Sequence, residues 1–463
     1  MTSSNPTPQW QAYLEVHRDR FIEELKDFLR IPSISALPDH ADDVAAAARW
    51  VARRLERAGL ENVQVMATGG HPVVYADWCH AQDRPTVLIY GHFDVQPVDP
   101  IDLWTHPPFE PVIHEDRIFS RGASDDKGNL MAPITALEAL LSTDRRLPLN
   151  VKFFAEGQEE IGSPQLPAFV RENKALLDCD LVVSADGLQW APDQPKIDMA
   201  YKGMTALEIT VQGPAADLHS GLYGGMVQNP NHALARILAS FHDDSGRVAV
   251  EGFYDAVVPL TAEAREQMAR PPFDEGALKQ RLQVDDLFGE PGYTAVERGW
   301  ARPTLEICGM GGGFQGEGFK GIVPARASAK ISCRLTADQD PDAIVRLIRR
   351  HVETLPLPGV KVSVTPVEGG VGPYAMPLDH PGVHAAARVL AELYGKPPYF
   401  TRCGGTIPIC TLFLKTLGVY TVGFSFSLED ENLHGPDEYF RLESLWRSQA
   451  GYVRLLDELA DML

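Results

Sequence analysis

The segment TVLIYGHFDVQP, residues 86–97, decides the fold of this 463-residue chain. Its core, VLIY at 87–90, is an uninterrupted apolar run, which is typical of a strand buried on both faces. His92 and Asp94 follow where that strand ends, and the period of two places them on the same side. The segment therefore predicts a buried strand that delivers two polar side chains to one edge of a sheet.

Neighbouring segments repeat this pattern. VKFFAEG at 151–157 and LVVSADG at 181–187 are two more apolar strands, with a helix between them. Helical periodicity covers residues 11–29, 42–58, 129–141 and 442–459, and GVYTVGF at 418–424 adds a late strand. Alternation of buried strands with helices predicts an α/β fold with a mainly parallel sheet.

The chain changes character near residue 201. TALEITVQG at 205–213, SAKISCRL at 328–335 and KVSVTPV at 361–367 alternate apolar and polar residues, as half-exposed strands do. Helical stretches at 231–241 and 343–355 separate them. We therefore expect an α/β domain, formed by residues 1–200 and 376–463, interrupted by an α+β domain at 201–375.

Composition excludes several classes of protein. Lys and Arg number 42 and Asp and Glu 63, so the formal net charge is −21, which disfavours a nucleic-acid partner. No apolar run approaches the length of a membrane span, and the start MTSSNPTPQWQAYLEV lacks the pattern of a secretory signal. The six cysteines stand singly, as in a reduced, cytoplasmic protein.

Five short elements carry acids or histidines beside the predicted strand ends. Each has a structural alternative when taken alone: a core histidine, a helix N-cap, an exposed acidic turn, a turn aspartate or a solvated loop histidine. Their polar residues are His92 and Asp94, Asp125 in RGASDDKGN (121–129), Glu159 and Glu160 in EGQEEIGSP (156–164), Asp186 in SADG (184–187) and His434 in ENLHGPDE (431–438).

Together these elements indicate a metal site. The carboxyl ends of the strands in α/β sheets are where such folds build their sites. Two histidines and several carboxylates, with no thiolate, suit Zn²⁺, Mn²⁺ or Co²⁺. Five ligands with one shared carboxylate would fit two metal ions with a bridging water as the nucleophile.

The motifs GHFDVQP, GASDDKG, EGQEEIGS, SADG and ENLHGPDE resemble those of the co-catalytic di-zinc exopeptidases, which include glutamate carboxypeptidases, aminoacylases and carnosinase-type dipeptidases. Within that family the chain is most similar to the cytosolic non-specific dipeptidases and carnosinases. The narrower resemblance lies in DLHSGLYGG (217–225), EGFYDAVVPLT (251–261), FGEPGYTAVERGWARPT (288–304) and SCRLTADQDP (332–341). It implies a catalytic di-metal domain and an inserted lid and dimerisation domain.

The resemblance also implies roles for single residues. Asp125 would bridge two divalent ions, with Zn²⁺ favoured and Mn²⁺ or Co²⁺ as alternatives. The other ligands would be His92 and Asp186 on one ion and Glu160 and His434 on the other. Asp94 would hold the His92 ring, and Glu159 would act as the general base, since a base must lie beside the activated water without being consumed as a ligand.

The substrate-binding residues implied by the resemblance lie in or near the inserted domain. His219 would reach the scissile carbonyl across a homodimer, and Arg334 would pair with the C-terminal carboxylate of the substrate. Gly404, Gly405 and Thr406 would bind the same carboxylate. Two positions depart from the family pattern: Cys403 stands where relatives have a glutamate that receives the substrate amino group, and Gly321 stands where they have a threonine.

The resulting expectation is metal-dependent hydrolysis of the peptide bond of dipeptides or similar short amides. The alternative is an amidohydrolase that removes acyl or carbamoyl groups from N-acyl or N-carbamoyl amino acids. Cys403 favours that alternative, because an acylated nitrogen needs no anionic partner. A non-catalytic peptide-binding protein is a minor alternative. The expected partners are a small peptide substrate and a second copy of the chain, without nucleic acid or membrane.

Overall fold

The computed structural model describes residues 7–463. Residues 1–6, at the start of the first predicted domain and of the segment MTSSNPTPQWQAYLEV, lie outside the described residues. The helices are α1 Gln9–Val16, α2 Arg18–Leu29, α3 Ala41–Ala58, α4 Gly128–Thr143, α5 Leu166–Glu172, α6 Lys174–Leu177, α7 Ser220–Tyr223, α8 Pro230–Ala239, α9 Ala262–Ala269, α10 Glu275–Leu282, α11 Ala295–Ala301, α12 Pro341–Thr354, α13 Pro381–Tyr394, α14 Pro408–Leu417 and α15 Leu442–Met462.

The strands follow the same order along the chain. They are β1 Glu61–Met66, β2 Val73–Trp78, β3 Thr86–His92, β4 Val112–His114, β5 Arg117–Phe119, β6 Asn150–Glu156, β7 Leu181–Ser184, β8 Leu188–Gln189, β9 Lys196–Tyr201, β10 Gly203–Gln212, β11 Leu218–His219, β12 Thr304–Gly312, β13 Ile322–Val323, β14 Arg326–Leu335, β15 Lys361–Val371, β16 Tyr374–Ala375, β17 Tyr399–Cys403, β18 Thr421–Gly423, β19 Ser427–Leu428 and β20 Tyr439–Arg441.

The chain divides into two compact units. The first comprises the described residues up to Met199 with Met376–Phe400 and Leu412–Leu463, and the second comprises Ala200–Ala375 with Thr401–Thr411. The second unit thus includes a short segment that the predicted domain bounds place with residues 376–463. Hydrogen bonds tie it there, since the Lys202 N–H donates to the Cys403 carbonyl.

The first unit is built on a six-stranded sheet in the order β1-β2-β6-β3-β7-β18. β3 runs parallel to β6 and β7, and β7 runs parallel to β18. β2 is antiparallel to both of its neighbours, β1 and β6. The predicted α/β class with a mainly parallel sheet is confirmed. β3 is buried along all but its first residue, as its apolar sequence predicts.

One predicted helix of this unit is broken. The periodicity at residues 11–29 predicts a single helix, but α1 and α2 are separated at His17, whose φ of −102° and ψ of 11° are not helical. The His17 Nδ1 atom lies 2.8 Å from the carbonyl oxygen of Tyr13. The imidazole of His17 therefore interacts with a backbone carbonyl group of α1, at the point where that helix ends.

The second unit contains a four-stranded antiparallel sheet in the order β12-β14-β10-β15. α8 and α12 cover one face, where Leu207, Ile209 and Ile331 meet Leu234 and Ile348 in a continuous apolar core. The other face carries the alternate, polar residues of the strands, as the period of two requires. Among residues 7–463, no helix is both long enough and apolar enough to cross a membrane.

Candidate metal centre

The three parallel strands β6, β3 and β7 end at one edge of the first unit's sheet. β3 ends at His92, which is paired with Glu156 at the end of β6, and Tyr90 of β3 is paired with Ser184 at the end of β7. Asp186 follows β7 by two residues, and Glu159 and Glu160 follow β6 after a short turn. Parallel pairing therefore delivers the polar residues of three motifs to the same edge.

Five of the predicted residues form two donor groups that share Asp125. One group is His92, Asp125 and Asp186, and the other is Asp125, Glu160 and His434; within each group the donor atoms lie within 4.8 Å of one another. The Nε2 atoms of His92 and His434 lie 3.0 Å from opposite carboxylate oxygens of Asp125. Asp125 can therefore serve both groups at once, one oxygen to each.

A buried carboxylate, Glu438, holds the turn that carries Asp125. Its Oε1 accepts hydrogen bonds from the backbone N–H groups of Ser124 (2.9 Å) and Asp125 (3.0 Å), and its Oε2 accepts one from Gly122 (2.8 Å). Asp125 has φ −120° and ψ 94°, outside the helical region, between residues that continue into α4. Glu438 thus satisfies N–H groups that this irregular turn leaves without helical partners.

Arg121 joins the same turn to two other segments. Its guanidinium donates to Glu438 Oε2 at 2.7 Å, to the carbonyl of His434 at 3.0 Å and to the carbonyl of Pro97 at 3.1 Å. Arg121 and Glu438 are both fully buried. Because these bonds are charge-assisted, they fix the backbone around Asp125 and His434 more firmly than neutral hydrogen bonds would.

Asp94 organises the turn after β6. Its two carboxylate oxygens accept from the backbone N–H groups of Glu159 and Glu160, each at 3.1 Å. Its carboxylate lies 3.5 Å from His92 Nδ1, while its own carbonyl oxygen lies nearer to that nitrogen, at 3.1 Å. Gln96 donates to Glu160 Oε2 at 2.8 Å. The side chain expected to hold the His92 ring therefore also positions both glutamates.

The donor set carries more negative charge than its surroundings balance. Burial, followed by the negative charge of Asp125, raises the pKa of Glu160 to about 9, and burial raises that of Asp186 to about 6. Burial acts in the same direction on Asp125, but hydrogen bonds from His434 and His92 outweigh it and lower the pKa of that carboxyl. Bound cations would compensate such crowded carboxylates. Imidazole and carboxylate donors without thiolate fit Zn²⁺, Mn²⁺ or Co²⁺.

Glu159 lies beside this set without belonging to either donor group. Burial raises the pKa of its carboxyl well above the usual value, and the negative charges of Asp186 and Glu160 add to that effect against the opposing influence of His92. Within residues 7–463, no group donates a hydrogen bond to its carboxylate oxygens. The geometry leaves this carboxylate available for a proton.

Four of the predicted substrate-binding positions, Arg334, Gly404, Gly405 and Thr406, lie in the second unit. Arg334 donates to the Thr406 hydroxyl at 2.8 Å, and the Gly405 N–H donates to the Cys403 sulfur at 3.3 Å. A side chain at Gly404 would lie 2.8 Å from the carbonyl oxygen of Gly299, so only glycine fits that position without a shift.

His219 lies in a different part of the second unit. It ends β11, which pairs with β13, and it caps α7 by accepting from the Gly221 N–H at 3.0 Å. Its side chain is exposed. The structure therefore does not place it in the group formed by Arg334 and Thr406.

Sequence reasoning missed the residues that support the donors. Glu438 and Gln96 lie within the quoted motifs ENLHGPDE and GHFDVQP, and Arg121 opens RGASDDKGN. Their partners are distant in sequence, up to 317 positions for Arg121 and Glu438. The only available signal was that charged and amide residues recur inside motifs already chosen for their ligands.

The chain is similar to known peptidases over most of its length. The human protein named Beta-Ala-His dipeptidase is 29% identical over 442 residues, covering 92% of this chain and 87% of its own. The Cys-Gly metallodipeptidase dug1 of Schizosaccharomyces pombe is 28% identical over 467 residues, covering 97% of both chains.

A solved structure agrees with these relatives. The M20 family metallo-carboxypeptidase Sso-CP2 from Sulfolobus solfataricus superimposes with a TM-score of 0.83 at 33% identity, covering 96% of this chain and 100% of the other. The model of peptidase family M20/M25/M40 matches residues 88–458, which include both donor groups. Sequence and fold therefore agree that this chain belongs to peptidase family M20/M25/M40.

Proposed function

We propose that the protein is a metal-dependent dipeptidase that cleaves the peptide bond of dipeptides or similar short amides. The observation that carries this proposal is the pair of donor groups that share Asp125 beside the uncommitted carboxylate of Glu159. The printed names of the human and fission-yeast relatives, both dipeptidases that match more than nine-tenths of this chain, support the same substrate class.

The proposed ligands are His92 and Asp186 for one ion and Glu160 and His434 for the other, with Asp125 shared between them. Zn²⁺ is the favoured ion, with Mn²⁺ or Co²⁺ as alternatives. When bound, such ions supply Lewis-acid chemistry, since they polarise a carbonyl and make a water molecule more acidic. Asp94 positions the turn that carries Glu160, and Glu438 and Arg121 position Asp125.

Glu159 is proposed as the general base. It would take a proton from the attacking water and pass it to the nitrogen of the departing amine. A raised pKa suits both steps, because a carboxylate that binds a proton more tightly accepts it more readily from water and still releases it to a basic amine. The hydrogen bond from its backbone N–H to Asp94 holds the turn that carries it.

Arg334 and Thr406 are proposed to bind the C-terminal carboxylate of the substrate, together with the loop at Gly404 and Gly405. Arg334 has no carboxylate partner among residues 7–463, and a guanidinium suits a carboxylate through paired hydrogen bonds.

His219 is proposed to contact the scissile carbonyl from the second copy of a homodimer. Sedimentation of the active enzyme tests the dimer, and a fully active monomer would contradict it.

A second candidate is hydrolysis of N-acyl or N-carbamoyl amino acids. The loop at 401–406 contains Cys403 and no carboxylate. A substrate ammonium group would therefore find no opposite charge on that loop, whereas an acylated nitrogen needs none.

A cytoplasmic location is also proposed, from the isolated cysteines, and fractionation of cells that produce the protein would test it.

The test is hydrolysis of a dipeptide panel by the metal-loaded protein, with each peptide offered in free and N-acetylated form. We expect cleavage of the free peptides and a loss of about 10²- to 10⁴-fold in kcat for Glu159→Gln, the usual contribution of a general base. Glu172→Gln, which removes an exposed glutamate from α5, is the matched control and should leave kcat unchanged.

The outcomes separate the two candidates. Cleavage of the free peptides that is lost only in Glu159→Gln supports the dipeptidase. Cleavage confined to the acetylated peptides would overturn the dipeptidase proposal and support the amidohydrolase. Absence of hydrolysis across the panel, with the metals bound, overturns both.

A further inference from the structure

The second unit contains a cavity of about 610 Å³ that Arg334 helps to line. Four cationic side chains border it, with only two carboxylates. The charged residues are Lys202, Arg298, Arg302, Arg334, Glu290 and Glu306. A volume of this size is much larger than one carboxylate group needs and is within the range of small-molecule sites.

One of these cations is already neutralised. Arg302 donates two hydrogen bonds to Glu290, at 2.7 and 2.9 Å, in the paired geometry of a guanidinium with a carboxylate. Its guanidinium also lies over the rings of Tyr254 and Tyr293. Arg247 also lies 3.6 Å from the Glu290 carboxylate. Glu290 therefore neutralises Arg302, which leaves that guanidinium unavailable to an anionic ligand.

The other three cations are not neutralised in this way. Within residues 7–463, no carboxylate forms an ion pair with Lys202, Arg298 or Arg334. Glu306, which lies on β12 two residues after the pairing partner of Arg334, is the only other carboxylate of the cavity. The cavity therefore carries an excess of positive charge in a protein whose net charge is −21.

Lys202 is the most buried of the three. It is 4% exposed, and its ammonium group donates to the carbonyl of Arg298 at 3.0 Å, which uses one of its three N–H bonds. Burial, followed by the positive charge of Arg334, lowers its pKa to about 8. A buried ammonium group is unfavourable unless an acceptor or an anion compensates it. Among residues 7–463 no second acceptor bonds this ammonium group, so Lys202 can offer two N–H donors to a ligand in the cavity.

We propose that this cavity binds a second anionic group of the substrate, so that the enzyme prefers dipeptides whose C-terminal residue is aspartate or glutamate. Arg334 would hold the α-carboxylate, and Lys202 with Arg298 would hold the side-chain carboxylate. Leu287 and Phe288, which also line the cavity, would pack against the side-chain methylenes. This inference rests on the proposed dipeptidase activity and names its substrate class.

The test uses substrate pairs of nearly equal shape that differ in charge, Ala-Glu with Ala-Gln and Ala-Asp with Ala-Asn. For the metal-loaded enzyme we expect kcat/KM to be at least about tenfold higher for the acidic member, as a charge-assisted hydrogen bond would give. Lys202→Gln keeps an N–H donor for the Arg298 carbonyl but removes the charge, so the ratio of kcat/KM between the acidic and the amide substrate should fall to about one.

Lys330→Gln, which removes an exposed lysine from β14, is the matched control and should keep the preference. The affinity of Ala-Glu and of Ala-Gln for the variant Glu159→Gln, measured by calorimetry, distinguishes failure of the dipeptidase proposal from failure of the anionic site. Tighter binding of Ala-Glu than of Ala-Gln without hydrolysis by the wild type would overturn the dipeptidase and support the anionic site. Equal kcat/KM and equal affinity for both members of each pair, or a preference that survives in Lys202→Gln, would overturn the anionic site.

Discussion

The metal centre of the first unit and the cavity of the second unit concentrate charge of opposite sign. Asp125, Asp186 and Glu160 crowd carboxylates at the end of a parallel sheet, whereas Lys202 and Arg334 bring cations to the wall of a cavity. In both places a local excess of one charge is incompletely neutralised by the protein. The difference in sign is the reason why we propose different ligands, cations at the first and an anionic group at the second.

The net charge of the whole chain does not reveal this contrast. The value of −21 indicates only a predominantly acidic molecule. A site is better identified by charges that lack partners within the fold, because burial without compensation is costly.

The largest effect is expected for Asp125→Asn, which removes the charge shared by both donor groups. An amide keeps the shape of the side chain but binds divalent ions poorly through its nitrogen. Because bound ions contribute several kcal/mol to such reactions, we expect kcat/KM to fall by at least about a thousandfold. Metal content measured on the purified protein should fall in parallel.

Asp342→Asn is the matched control, since Asp342 lies in the first turn of α12. It should keep full metal content and activity. Retention of both metals and of activity in Asp125→Asn would contradict the assignment of Asp125 as the shared ligand.

A smaller effect is expected for Glu438→Gln. The amide would present an N–H group to backbone donors that now meet a carboxylate oxygen, and Arg121 would lose its charged partner. Residues that orient metal ligands typically contribute 10- to 100-fold in metal affinity. We expect a decrease of about that size in affinity for Zn²⁺ or Co²⁺, measured by competition with a chelator.

In Glu438→Gln, both the position of the Asp125 side chain and the stability of the turn that carries it should change. The visible spectrum of the Co²⁺-loaded variant would report altered ligand geometry, which a purely structural role of Glu438 would leave unchanged. Glu443→Gln, an exposed position in the first turn of α15, is the control. An unchanged spectrum and metal affinity in Glu438→Gln would show that the backbone around Asp125 keeps its conformation without the Glu438 carboxylate.

The donors could be predicted from sequence because each follows an apolar strand or lies in a short motif. The run VLIY predicts β3, and parallel pairing then brings His92 and Asp186 to one sheet edge. This inference needs only local pattern and the general rule for α/β sheets.

The supporting contacts could not be predicted in the same way. The partners of Glu438 are backbone N–H groups of an irregular turn, and no side-chain pattern marks them. Lys202 lies between β9 and β10 and belongs to no motif, and its importance depends on Arg298 and Arg334, which line the same cavity. Such groupings depend on tertiary packing.

A third buried charge cluster provides the contrast to both sites. Arg54 is fully buried and pairs with Glu24 at 2.8 Å and with Glu138 at 2.5 Å, and Arg20 pairs with both glutamates. Arg57, which is more exposed, also lies 3.5 Å from Glu24. The two buried glutamates are therefore balanced by arginines within the fold, and this cluster should contribute to stability and bind no ligand.

Glu138→Gln tests that distinction and should have the smallest effect on activity, with kcat/KM unchanged. It leaves Arg54 incompletely paired in the interior, so the free energy of unfolding should fall by about 3–5 kcal/mol in urea titrations at neutral pH. Glu392→Gln, which breaks a surface pair with Arg454, is the control and should cost at most about 1 kcal/mol. A loss of activity at unchanged stability would mean that the balanced cluster belongs to the site.

The effect of Glu138→Gln should depend on pH. Burial raises the pKa of Glu138, but the hydrogen bond and charge of Arg20 and the charge of Arg54 outweigh it, so the pKa in the folded protein is lowered. A carboxyl with a lowered folded pKa stabilises the protein above its unfolded pKa of about 4.3 and loses that contribution as the pH falls through the folded pKa. The stability difference between wild type and Glu138→Gln should therefore be full at pH 7 and shrink below about pH 4. A difference that grows on acidification would contradict the ion pairing of Glu138.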